Sequence, residues 1–542
     1  MKKFVLLVLA LFIGCLSGCI KEKSETVNIE TASTLTEMIE NAQKISLENR
    51  EEYINKSFEK LKNSIEFPYI DGSKVTFVYK GNETNVSLIG DVSGGWYVES
   101  FPLNKIDGTD FFYKTIEYES NAKLEYKFVM SDMKTYKVDP LNKNIVNNEF
   151  ANSELRMPGY KSGEEEDYND TILHGTIENK SLICNAYDDK GNQLINVTRN
   201  YHVYLPYGYS KDKKYRVIYF QDGKSYLNEG KTSNILDFMI SKNEIEPVVA
   251  IFIDYPDGCR DGDYIESTKS AYADYFTNIF MPKMESDYSI RNDRDGRIMV
   301  GESNSGSFIA YLAYTYPDKF RYLLTNSGAF NALTKDSTME NMVKGNFPVK
   351  IYMISGLYEM WVKPNKIFYE MLKNNTTVEA VKYTRYHMAH NFSLWRDTIR
   401  DGLKWLIDPA TKTEETPLEN QKLNVMIGWR ESQSLNIGSD TKCYLALMKK
   451  NNNTLFEASK DWNSGIELSC IEIKKGVTEK VEIPLNFDKA TDFQVVMFYD
   501  KNGNKSLDYS SDEVIYNDGY NWDIMVDKED DNIPIFIVGK YK

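Results

Sequence analysis

The stretch "IMVGESNSGSFIA", residues 298–310, decides how this chain is read. Apolar residues run into Gly301, a serine follows at 303, and further small residues open an apolar helical pattern. A nucleophile elbow reads Gly-x-Ser-x-Gly. Here the fifth position is Ser305, and a glycine arrives only at 306. "RIMV" is a short β-like run and "SFIAYLAYTYPDKF" a helical one, so Ser303 falls on a strand-to-helix turn. Such a turn lifts a hydroxyl above a sheet edge and aims a helix N-terminus at a developing oxyanion. The competing reading is an ordinary turn rich in small residues, and the rest of the chain has to choose between them.

A serine hydroxyl is a poor nucleophile without a base, so the four histidines come next. Where the serine sits on such an elbow, the chain order is serine, acid, histidine. His174 and His202 precede Ser303 and fail on order. His387 ends the strand-like "VKYTRYH", where a packed histidine is the simpler account. His390 lies three residues later, in a turn before the helix-like "SLWRDTIRDGLKWL", and is the candidate base. The first carboxylate after the apolar run "KIYMISG" is Glu359, the candidate acid that would orient the imidazole. An oxyanion hole takes one amide from the residue after the nucleophile, Asn304, and one from a loop after an early strand. "VIYFQDGKSY" offers Gly223 there, with Lys224 as the fallback. An ordinary tight turn would also use Asp-Gly.

The surroundings fit a mainly parallel sheet with helices on both faces. Between about 170 and 410 the apolar runs "NYHVYLP", "YRVIYFQ", "PVVAIFID", "RIMVG", "YLLTNSG", "KIYMISG" and "AVKYTRY" alternate with helical stretches. Before them, from about 71 to 160, "SKVTFVYKG", "NVSLIGDV", "FFYKTIEYE" and "LEYKFVMSD" alternate apolar and polar residues, as a small β-sandwich does. After about 421, "CYLALMKK", "KVEIPLNF" and "FQVVMFYD" return to that pattern and predict a third, β-rich domain of unassigned role. Within it, Asp500, Asn502, Asn504 and Asp508 fall at positions 1, 3, 5 and 9 of a calcium loop. Lys505 stands where that loop wants glycine, so a solvated hairpin turn competes with a structural calcium site.

Residues 1–18 read as an export signal: Lys2 and Lys3 precede "FVLLVLALFI", too short to span a bilayer. "LSGC" resembles the bacterial lipobox, which implies cleavage before Cys19, lipid on its sulfur and an extracytoplasmic, membrane-anchored protein. Residues 19–70 are polar, with a weak helical period in "TLTEMIENAQKISLENREEYINKSFEKLKNSI" that predicts a tether or stalk helix. Of the remaining thiols, Cys184, Cys259, Cys443 and Cys470, none has metal-ligand spacing, and buried free thiols are the simplest reading. At 542 residues the chain holds roughly three domains at about 150 residues each. Its formal charge of −15 argues against nucleic acid as a partner, since binding phosphate needs a basic face, while leaving room for a local basic pocket.

"YLPYGYSKDKKYRVIYFQDG", "GESNSG", "SGLYEMWVKPN" and "HMAHNFSLWRDTI" together resemble the esterase D-type family, which includes enterochelin, feruloyl and acetylxylan-type esterases. "VSLIGDVSGGWYVESFPL" and "EYKFVM" resemble the early-set immunoglobulin-like domains related to glycogen-binding modules that often precede such enzymes. Trp96 and Tyr97 there have two readings, glycan contact or sandwich core. The resemblance implies an α/β-hydrolase core at 161–412, flanked by β-sandwich domains at 71–160 and 421–542. It also implies a serine carboxylic-ester hydrolase needing no cofactor, acting on feruloyl or acetyl esters of polysaccharide or on a siderophore lactone. Arg260 falls where such proteins often carry an arginine near the site, and a surface salt bridge would account for it equally well. Three departures stand out: Ser305 for glycine, "MAHNF" for the family's Gly-Gly-His-Asp-Trp stretch, and a glutamate as acid. The alternative is a non-catalytic surface lipoprotein that binds glycan or a partner through its β domains.

Overall fold

A computed structural model describes residues 31–96, 101–146, 151–334, 338–407, 414–415, 422–431, 441–449, 466–474, 479–484, 491–507, 513–517, 524–526 and 534–541. The export segment and Cys19 lie outside the described residues.

The polar stretch expected to be a tether or stalk helix carries two helices, Leu35–Lys44 and Leu47–Leu61. The Thr34 hydroxyl caps the first by accepting the Glu37 amide at 3.1 Å, and Glu37 accepts the Ser33 amide at 2.8 Å. Leu35, Met38, Ile39 and Ala42 recur at helical spacing and are buried, as are Tyr53, Ile54, Phe58 and Leu61. A solvated tether would leave these faces in water. With the segment Ile106–Thr109 the helices form one unit, and the rest of the chain forms a second.

In that second unit the central sheet has nine strands. Their order is Thr176–Tyr187, Gln193–Leu205, Val248–Ile253, Arg216–Gln221, Arg297–Glu302, Tyr322–Asn326, Lys350–Gly356, Ala380–Tyr386 and Glu414–Glu415. All pairings from Val248–Ile253 onward are parallel; Gln193–Leu205 runs antiparallel to both its neighbours. The strands fill both faces because their residues alternate between two cores. Val217, Tyr219, Met299 and Leu323 face one cluster, packed with Phe276, Phe308 and Phe368. Ile218, Phe220, Ile298 and Leu324 face the other, packed with Leu236, Leu394 and Ile399. The first strand is long and largely exposed, and its sequence "TIENKSLICNAY" lacks the apolar run that marks the buried ones.

Residues 65–160 of the same unit form two antiparallel sheets. One is built on Lys74–Lys80 and Phe111–Glu117, the other on Ser87–Gly90, Lys123–Val129 and Asn152–Arg156. Their core of Phe77, Leu88, Phe112, Tyr126 and Phe128 also takes in Leu357, Tyr358 and Ala389 from far along the chain. The C-terminal strands make a three-stranded and a five-stranded sheet, with Tyr444, Ala446, Val496 and Phe498 buried. The four described cysteines are free thiols.

One buried ion pair ties the antiparallel hairpin to the helix Arg260–Tyr264. Arg199 donates to both Asp263 oxygens, at 2.7 and 3.1 Å, with its guanidinium 4.5 Å from the Tyr272 ring centroid. Breaking such a pair from one side strands a buried charge. Asp263→Ala is expected to destabilise this domain by about 3–5 kcal/mol, read as a lowered midpoint in chemical denaturation.

Candidate active site

Ser303 is the first residue of the helix Ser303–Thr315 and follows directly on the strand Arg297–Glu302. Its φ is 53°, in the left-handed region that a non-glycine residue enters only when its surroundings force it. The forcing is visible on both sides. A Cβ on Gly301 would lie 2.5 Å from the Ser305 carbonyl oxygen, so the strand and helix approach as closely as glycine allows. The Ser305 hydroxyl accepts the Glu302 amide and donates to the Glu302 carbonyl, both at 2.9 Å. The Glu302 carboxylate in turn accepts the Ser305 amide. The serine that departs from the family pattern is therefore a fastening across the turn.

His390 Nε2 lies 3.0 Å from Ser303 Oγ, and His390 Nδ1 lies 2.5 Å from Glu359 Oε2. With Nδ1–H donating to the carboxylate, Nε2 is the lone-pair nitrogen that faces the hydroxyl. The Glu359 side chain is fully buried. Its other oxygen accepts the Gly356 amide at 2.6 Å and the Ser327 hydroxyl at 2.7 Å. Ser327 Oγ is itself an acceptor for Trp395 Nε1 at 3.0 Å. Ser327 and this use of Trp395 escape a sequence reading. Only the proximity of Trp395 to His390 hints at them.

The other histidines are engaged elsewhere. His174 Nδ1 bonds Asp237 at 2.9 Å, and His202 lies between Asn179 and Asp254. Burial of His387 lowers its pKa, which favours a neutral packed ring. The order argument and the geometry select the same imidazole.

Asp222 follows the strand Arg216–Gln221, also with a left-handed backbone, φ 55°. A Cβ on Gly223 would lie 2.2 Å from the Ile253 amide nitrogen, so only glycine fits at this strand end. The fallback, Lys224, has its amide donated to Asp254 at 2.7 Å. Asn304 supplies the helix's second amide, and its side chain donates to Asp261 at 2.8 Å. Arg260 bridges two strand ends: it donates to both Asp222 oxygens at 2.7 and 2.9 Å and to Glu302 at 2.8 Å. Its side chain is only 25% exposed, which replaces the surface salt bridge with a largely buried one. Burial holds the Glu302 carboxyl well above the usual range, against the pull of Arg260.

The second candidate site is the loop beginning at Asp500. Its carboxylate accepts the Gly503 and Lys505 amides at 2.7 and 2.9 Å, while Asn502 and Asn504 accept the Asn504 and Ser506 amides. Asp508 lies outside the described residues. Among the described residues no cluster of three or more His, Cys, Asp or Glu side chains is placed to hold a metal ion.

The antiparallel second strand, the exchanged third and fourth strands and the strand-to-helix turn at Ser303 give this sheet an α/β-hydrolase-type fold. Residues 192–406 match the family model described as a putative esterase. The uncharacterized protein YjcH of Bacillus subtilis (strain 168) is 22% identical over 246 residues, covering 43% of this chain and 98% of that protein. Endo-1,4-beta-xylanase Y of Acetivibrio thermocellus is 33% identical over 153 residues, which is 25% of this chain but only 14% of the xylanase. The ferric enterobactin esterase of Salmonella typhimurium superposes with a TM-score of 0.50 at 15% identity, covering 61% of this chain and 92% of that one. At that identity the likeness is one of fold.

Ser305→Ala leaves the Glu302 amide without its acceptor. Replacement is expected to cost about 1–2 kcal/mol, measured as a lower thermal unfolding midpoint.

Proposed function

We propose that this chain is a serine carboxylic-ester hydrolase. The observation that carries the reading is the continuous relay from Glu359 through His390 to Ser303, at 2.5 and 3.0 Å. Ser303 Oγ attacks the ester carbonyl carbon as His390 Nε2 takes its proton. The Glu359 carboxylate stabilises the resulting imidazolium. The tetrahedral oxyanion is met by the Asn304 and Gly223 amides at the helix N-terminus and strand end. Collapse expels the alcohol, protonated by His390, and water then repeats the sequence to free the acid. The chemistry draws on side chains and backbone alone.

For the substrate we infer a feruloyl or acetyl ester of polysaccharide, or an enterochelin-like siderophore lactone, met outside the cytoplasm. The half-buried Trp361, with its ring centroid 5.9 Å from that of His390, supports an ester carrying an aromatic ring. Anchoring through lipid on Cys19 rests on the lipobox alone. Among the described residues no helix is long and apolar enough to cross a membrane.

Two experiments decide the reading. Ser303→Ala is expected to lower p-nitrophenyl acetate hydrolysis by more than about 10⁴-fold and to abolish fluorophosphonate labelling; retained activity or labelling sinks the proposal. Glu359→Gln is expected to lower kcat by about 10³–10⁴-fold with the serine still in place, because the wrong tautomer then faces Ser303. Comparing methyl ferulate, acetylated xylan and enterobactin as substrates separates the ester classes.

A further inference from the structure

The loops that carry Glu359 and His390 are both seated in the N-terminal sandwich. Tyr358, next to Glu359, is buried in the sandwich core, 6.3 Å between ring centroids from Tyr118, and its hydroxyl donates to Glu119. Ala389, next to His390, belongs to the same core, and the His387 carbonyl accepts the Lys123 amide at 3.0 Å. On the other side of His390, Asn391 has two engagements. Its Oδ1 accepts the Leu394 amide at 3.3 Å, capping the helix Phe392–Ile407, and its Nδ2 donates to Asp91 at 2.8 Å. Asp91 is buried and also accepts Trp96 Nε1 at 3.2 Å and the Glu125 amide at 2.8 Å. Two residues further on, Ser393 donates to the buried Glu125 at 3.1 Å.

Resting on the esterase reading, we infer that the sandwich is part of the catalytic apparatus: Asp91, acting through Asn391, is a positioning residue for the base His390. The assignment also accounts for one departure from the family pattern. Aspartate and asparagine cap a helix equally well, but only asparagine also donates a hydrogen bond. A carboxylate at 391 would face the carboxylate of Asp91, so this chain uses an amide where the family has aspartate. Trp96 contributes by holding Asp91 from the far side, which gives it a role beyond either core packing or glycan contact. Burial and the neighbouring Glu125 raise the Asp91 pKa, so the carboxyl depends on its three donors.

The link is tested in the full chain with Asn391→Ser, which keeps a capping hydroxyl but falls short of Asp91, and with Asp91→Asn at the other end. Each is expected to lower kcat on p-nitrophenyl acetate about tenfold, with KM changed less than about twofold, because a displaced base slows proton transfer without altering binding. Since both act on one contact, the double variant is expected to fall no further than the single ones. Thermal melting of each variant corrects for any loss of folded protein. Normal kcat in Asn391→Ser beside an inactive Ser303→Ala overturns the positioning role alone. Multiplicative losses in the double variant overturn it as well. Full activity in Ser303→Ala overturns the esterase reading and takes this inference with it.

Discussion

Everything at the site depends on backbone that turns left-handed where the sheet ends. Asp222, Ser303 and Ser327 each follow a central parallel strand, and each has a φ between 50° and 55° without being glycine. Such residues cost of order 1–3 kcal/mol apiece and persist only where their neighbours over-determine them. Here each is fixed by what it holds. Asp222 binds the Arg260 guanidinium, Ser303 faces His390, and Ser327 supports Glu359. The abrupt turns bring three successive strand ends into one working surface.

Electrostatics then hold that surface together at low exposure. Arg260 donates to two strand-end carboxyl groups at once, and the Arg199–Asp263 pair fixes the helix from which Arg260 reaches. Glu359 is buried with its acceptor sites taken by an amide, a hydroxyl and an imidazole. A carboxylate so enclosed has little freedom to rotate away from the histidine. Its two oxygens serve different partners, Oε1 the Gly356 amide and the Ser327 hydroxyl, Oε2 the His390 imidazole.

Much of this was legible in the sequence, and the reasons differ by element. The buried strands announced themselves as apolar runs, and chain order together with position after the late strands pointed to Glu359 and His390. The long edge strand Thr176–Tyr187 was missed because half-exposed pairing leaves no apolar period. The helical period before residue 70 is weak because frequent charges mask the buried stripes, and Ile45 and Ser46 break it into two helices. Arg260 was found by position, but its partners Asp222 and Glu302 were not, since ion pairs between strand ends leave no local pattern. The same holds for Asp91 and Asn391, 300 positions apart. Ser305 looked like a defect in the elbow because the motif encodes space, whereas the structure uses that position for hydrogen bonds.

The sandwich core that takes in Leu357, Tyr358 and Ala389 has a consequence for how the chain is made. Synthesis runs from the N-terminus, so the sandwich strands are complete about two hundred residues before the loops that finish their core arrive. Until then an apolar cleft stands open in the nascent protein, and closing it coincides with delivery of the last two groups of the relay. Completion of the site is therefore a late event, tied to the filling of the sandwich core. An exchange of chain across residue 160 would separate that core from the residues that fill it.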